Sequence, residues 1–160
     1  MIPYYGDIMS ALASWGNIVV GPRACPEELC WVDYAGDMER ALDFVFSQTE
    51  DKILSKADRS RIGIIGHSMG GDVIVRLASR SSFLKKYNPR GAVAVAPASE
   101  YDILTKPSNI KMPVFFTTGT ADTICPAQGV ITAYTADPLQ DKILVNAIGV
   151  EHNNIGYHGS

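Results

Sequence analysis

Ser68, Asp122 and His152 supply a hydroxyl, a carboxylate and an imidazole in an order that suits acyl transfer. A serine hydroxyl is a poor nucleophile until a base removes its proton, and histidine serves best when a carboxylate fixes its tautomer and steadies the imidazolium. Ser68 sits in Gly66-His67-Ser68-Met69-Gly70, between an apolar run that reads as a buried strand, Arg61 to Ile65, and a helical run, Gly71 to Ser79. Glycine on both flanks permits a sharp strand-to-helix turn that presents the hydroxyl. A helix opening there aims backbone N–H groups at developing negative charge, and the N–H of Met69 is the expected oxyanion donor.

The chain has three histidines. His67 adjoins the serine, and its side chain is expected to point away from it and take a packing or supporting role. His158 lies in a polar tail and reads as solvated. His152, in Gly149-Val150-Glu151-His152, follows the last apolar run and is the expected base. For the acid, Asp122 follows the run Val114 to Thr118, with Asp102 as rival one run earlier; Asp72 is too close to the serine on the same helix. The other reading of Asp122 is an Asx-turn or helix cap ahead of Pro126.

Positioning these groups takes strands that alternate with helices. Tyr5, Ile8, Met9 and Leu12 have helical spacing up to Gly16, and Ile18 to Val20 reads as a short buried strand. Asp33 is a plausible N-cap for a helix carrying Tyr34, Met38, Ala41, Leu42, Val45 and Phe46 on one face. Further strands are expected at Gly91 to Ala96, Val114 to Thr118 and Lys142 to Ile148, with a helix from Pro126. This pattern predicts an α/β fold: a mostly parallel sheet of about five strands with helices on both faces. The reactive residues all follow strands, where such sheets carry their sites.

The length of 160 residues, 46% hydrophobic and 19% charged, predicts one domain over 1–160. A net charge of −3 without a basic run gives no reason to expect a nucleic acid partner, and no stretch is long and apolar enough for a membrane span. Met1 to Trp15 does not read as a secretory signal, so a soluble protein is expected, its compartment open. Cys25 and Cys30 are spaced to bridge a loop or to stay free, and Cys125 suits a buried apolar site. No Cys/His spacing suits structural zinc, and no metal or cofactor is implied.

These residues resemble the α/β-hydrolase superfamily, in its cap-less branch of dienelactone hydrolases, chlorophyllases and cutinase-like polyester hydrolases. The resemblance rests on Ala13 to Val20, on Gly66 to Gly71, on Met112-Pro113-Val114 with Asp122-Thr123-Ile124-Cys125-Pro126, and on Val150-Glu151-His152. The order Ser, Asp, His is the one that superfamily uses. It implies an esterase-type serine hydrolase that cleaves small or polymeric carboxylic esters through an acyl-enzyme. The linker Pro97 to Met112 is too short for a cap, so the site is expected to be open, with Tyr4, Tyr5 and Trp31 as groove residues or as core aromatics.

The family's early strands and the HG-type loop that gives its second oxyanion donor precede the helix at Tyr4, and this minimal version starts at Met1. The strand at Ile18 is therefore expected to close against the strand at Arg61. The loop Gly21 to Cys25 would then supply the donor from Arg23 or Ala24. Alternatively a second copy fills the gap, giving a homodimer. The competing readings of function are a non-catalytic truncated module for binding or dimerisation, and a thioesterase, lactonase or acyltransferase using the same triad.

Overall fold

The structure is a computed structural model that describes residues 5–22, 34–98 and 109–154. The chain divides into two compact units, Met1–Arg59 and Ser60–Ser160.

In the first unit, α1 (Gly6–Ser14) stops where Gly16 turns left-handed, φ 84°, and its N–H donates to the Ala13 carbonyl at 2.9 Å. Glycine takes that conformation without the clash a Cβ would bring. Helix α2 (Tyr34–Ser47) buries Val45, leaves Tyr34, Met38, Ala41, Leu42 and Phe46 half-buried, and exposes Arg40, Asp43 and Phe44. Arg59 lies 4.3 Å over the Phe46 ring and donates to the Phe46 carbonyl, which fastens the end of the unit to α2. Residues 17–20 form no strand, and Ile18 and Val20 are exposed. The strand expected at Ile18 to Val20 is therefore not formed. So short a run has too few ladder hydrogen bonds to hold itself extended.

The second unit holds four parallel strands in the order β1 (Gly63–His67), β2 (Gly91–Val95), β3 (Val114–Gly119), β4 (Lys142–Ala147). They are short and largely apolar, and alternate residues such as Ile64, Ala92, Ala94, Val114 and Phe116 are buried while Ile65, Ile143 and Val145 are exposed. Strand β1 starts and ends two residues later than its apolar run, because Gly66 and His67 still pair with Ala94 and Val95. Helix α3 (Met69–Ser79) crosses from β1 to β2, and α5 (Ala127–Ala136) from β3 to β4. Both lie on one face: a Cβ on Gly66 would strike Ile74 of α3, and Phe116, in line with Gly66 through Ala94, meets Tyr134 of α5 edge-on. Ile74, Val75, Leu77, Phe83, Phe116 and Val130 are fully buried in this layer. Helix α4 (Ser81–Tyr87) follows, and Asn88, φ 47°, ends it. Lys142 of β4 donates its ammonium to the Tyr134 and Asp137 carbonyls, placing a cation at the C-terminal end of α5. Among the described residues no helix is long and apolar enough to cross a membrane.

Candidate active site

Strand β1 enters the site through a backbone turn that few residues tolerate. Ser68 has φ 57° and ψ −123°, a region costing a non-glycine residue about 1–3 kcal/mol unless its surroundings enforce it. They do so by hydrogen bonds. The Ser68 N–H donates to the Val95 carbonyl at 2.9 Å, and the Ser68 carbonyl accepts from Asp72 N–H at 3.1 Å and Ala98 N–H at 3.0 Å. Sheet, helix and the loop after β2 thus hold one residue.

Two glycines make the turn possible. A Cβ on Gly66 would lie 2.2 Å from the Gly70 carbonyl oxygen, and one on Gly71 would lie 2.9 Å from Pro97 Cα, whereas one on Gly70 would meet nothing within 4 Å. The residue under constraint after the serine is therefore Gly71. Gly66→Ala and Gly71→Ala are each expected to destabilise by about 1–3 kcal/mol or more, since backbone must move. Gly70→Ala, in the first turn of α3, is expected to be neutral or to stabilise by up to about 1 kcal/mol. Urea midpoints of the three variants check this ordering.

Met69 opens α3, so its N–H has no intrahelical acceptor and its side chain is 47% exposed beside the turn. Asp72, one turn on, is buried and pairs with Arg76 at 2.6 Å; loss of water raises its carboxyl above the usual carboxylate range, against the pull of Arg76.

The carboxylate and the imidazole meet at the ends of β3 and β4. His152 Nδ1 lies 2.8 Å from Asp122 Oδ2, and both residues are 5% exposed. The other oxygen, Oδ1, accepts the N–H groups of Ile124 at 2.9 Å and Cys125 at 2.7 Å. Asp122 is therefore an Asx-turn residue and the partner of His152 at once. The two readings left open by the sequence describe different oxygens of one group. Asx-turn donors fix the carboxylate plane, so the direction of Oδ2 is set before His152 arrives.

His152 opens a short 3-10 turn, His152–Asn154, at the end of a loop tied to the Asp122 loop. Thr120 N–H donates to the Ala147 carbonyl at 2.9 Å, Ala121 N–H to that of Val150 at 3.2 Å, and Gly149 N–H to Thr120 Oγ1 at 2.8 Å. Gly149, φ 72°, makes the reversal. Thr120 has no place in the sequence reading, because nothing in its own neighbourhood announces a partner in a loop so far along the chain.

His67, the last residue of β1, bridges the halves of the site. Its Nε2 lies 3.1 Å from the His152 carbonyl oxygen, and its ring centroid is 4.6 Å from that of His152. Burial first, then the neighbouring His152, push its imidazole below the usual histidine range, while the His152 carbonyl and Asp122 pull the other way. Ser68 is the next residue in sequence, so His67 links the turn that carries it to the Asp122–His152 pair. Beside it is a recess of about 190 Å³ lined by Ala121, Thr123, Ile124, Glu151, His152 and Asn153. Among the described residues no group of three or more His, Cys, Asp or Glu could hold a metal ion.

Tyr5 belongs to the first unit, ahead of α1, and is 37% exposed. Tyr4, Arg23, Ala24, Cys25, Cys30, Trp31, Asp33, Asp102 and His158 lie outside the described residues.

The family model for PET hydrolase-like proteins matches residues 8–155. Cutinase 2 of Thermobifida cellulosilytica is 30% identical over 92 residues, which are 58% of this chain and 32% of that enzyme. Cutinase est2 of Thermobifida alba is 36% identical over 55 residues, 34% of this chain and 18% of that enzyme. The aligned segment thus spans about a third or less of these relatives. Among solved structures, an esterase of Pyrococcus furiosus superposes with a TM-score of 0.70 at 22% identity, covering 95% of this chain and 69% of that one. A monoacylglycerol lipase of Paleococcus ferrophilus gives 0.65 at 16% identity, covering 92% and 80%. The superpositions identify the fold as that of the α/β-hydrolases. With the family model running from α1 through the His152 turn, the chain belongs to the PET hydrolase-like family.

Proposed function

We propose that this chain carries the nucleophile, acid and base of a serine hydrolase that cleaves carboxylic esters through an acyl-enzyme. The observation that carries the reading is the buried 2.8 Å contact between His152 Nδ1 and Asp122 Oδ2, joined through His67 to the strained turn at Ser68. In this reading Ser68 Oγ attacks the ester carbonyl as His152 Nε2 takes its proton. The N–H of Met69 stabilises the oxyanion, and His152 returns the proton to the leaving alcohol. Water then repeats the sequence and frees the acid. Asp122 holds the Nδ1–H tautomer, leaving Nε2 bare to act as base.

The substrate we favour is an extended polyester or a short open-access ester. Exposed Met69 and Ile124, the latter 59% exposed, offer apolar contact beside the turn, and the recess is smaller than the roughly 300–1,000 Å³ of sites that enclose their ligands. Relatives named cutinases support a polyester.

Activity-based labelling tests the assignment. Folded protein treated with a fluorophosphonate is expected to gain one adduct, mapped by peptide mass spectrometry to Ser68, and urea-unfolded protein none. Labelling spread over several serines, or equal with and without denaturant, sinks the reading.

A further inference from the structure

We propose that His67 is a positioning residue for His152: the Nε2–H of its neutral ring holds the His152 backbone carbonyl, and its ring face braces the His152 imidazole. This rests on the reading of His152 as the base. A carbonyl oxygen can only accept, so the 3.1 Å contact requires the proton of His67 to sit on Nε2. The ring centroids stand 4.6 Å apart at 35°, a tilted contact that limits how far the His152 ring can swing.

The need for such a brace follows from how His152 is otherwise held. Asp122 grips a single ring atom, Nδ1, and a ring gripped at one atom can pivot about that hydrogen bond. The backbone of the turn is tied through Val150, whose carbonyl accepts from Ala121, and through Glu151, whose carbonyl accepts from Asn154. The carbonyl of His152 itself is tied by His67. Because His67 ends β1 immediately before Ser68, the bond refers the base to the strand that carries the nucleophile. A misplacement of about 1 Å at a reacting group can cost on the order of 10²-fold in rate, so this link matters to chemistry more than to folding.

Neutrality is part of the role. As Ser68 loses its proton in the proposed reaction, His152 becomes a cation, and a second cation in ring contact would oppose it. Asp122 is the carboxylate that pairs with His152 and also acts on His67. Burial keeps His67 uncharged at neutral pH, so Asp122 answers to His152 alone.

Three variants and one spectrum test the proposal. His67→Phe keeps a ring face and loses the donor, His67→Gln keeps an N–H donor, and His67→Ala loses both. With p-nitrophenyl acetate, kcat is expected to fall about 10-fold in His67→Phe and about 100-fold in His67→Ala, with KM within about twofold. His67→Gln is expected to stay within about threefold of wild type. Long-range ¹H–¹⁵N spectra of the wild-type protein at neutral pH are expected to show His67 protonated on Nε2. They are also expected to show a downfield Nδ1–H of His152 that broadens in His67→Phe and returns in His67→Gln. Wild-type kcat in His67→Phe overturns the proposal, and so does rescue by Phe but not Gln, which marks mere packing. A proton on His67 Nδ1 overturns it too. If the wild-type protein shows no Ser68-dependent hydrolysis, the proposed function fails, and the spectra still decide whether His67 holds His152.

Discussion

Ser68→Ala is expected to lower kcat for p-nitrophenyl ester hydrolysis by on the order of 10⁶, the loss typical of a removed triad serine. The fold should survive, because the turn at Ser68 is held by main-chain bonds to Val95, Asp72 and Ala98 that a methyl side chain leaves intact. Alanine also keeps the Cβ that makes φ 57° unfavourable. Ser68→Gly is therefore expected to unfold at higher urea than Ser68→Ala, by about 1 kcal/mol, while being equally inactive. The strain would then be a property of the position, held in the folded protein so that a side chain can stand out from the turn. Equal rates in wild type and Ser68→Ala would end the enzyme reading. Equal midpoints in the Ala and Gly variants would show that the turn is relaxed.

The parts of this site that could be read from the chain are those whose signal is local. Gly66 to Gly71 announces a turn, and the apolar runs before Asp122 and His152 announce strands, so the places of Ser68, Asp122 and His152 after strands were legible. What depends on a partner was not. Ile18 to Val20 has the composition of a strand, but composition supplies no neighbour, and residues 17–20 form none. Strand β1 runs on through His67 because β2 continues beside it, although glycine is a poor strand former. Helix α4 is short and ends in Lys85 and Lys86, yet Phe83 and Tyr87, four apart and both buried, were a usable sign of it. For His67 its place beside Ser68 was legible. Its partner was not, because His152 lies 85 residues along the chain. Asp122 shows how a choice between a turn role and a partner role can be false: a carboxylate has two oxygens, and the fold uses both.

That division of labour sets the outcome expected for Asp122→Asn. Asparagine is nearly the same shape, so the loss must come from the exchange of one acceptor for a donor. If the amide oxygen stays toward Ile124 and Cys125 N–H, the turn is preserved and the NH₂ faces His152 Nδ1. Two donors cannot share that 2.8 Å contact, so His152 must move its proton to Nε2, where it can no longer accept one from Ser68. If the amide flips, the oxygen keeps the right tautomer, but the NH₂ then confronts the two backbone donors of Ile124 and Cys125 and the loop loses its turn. The first arrangement keeps all three contacts at the cost of a tautomer switch in His152 and the second sacrifices two hydrogen bonds, so the first is favoured. Asp122→Asn is thus expected to fold with a midpoint within about 1–2 kcal/mol of wild type, with kcat lower by about 10⁴. The His152 ring should carry its proton on Nε2 in long-range ¹H–¹⁵N spectra. A variant that keeps Nδ1–H and most of its activity would mean that Asp122 is there for the turn alone.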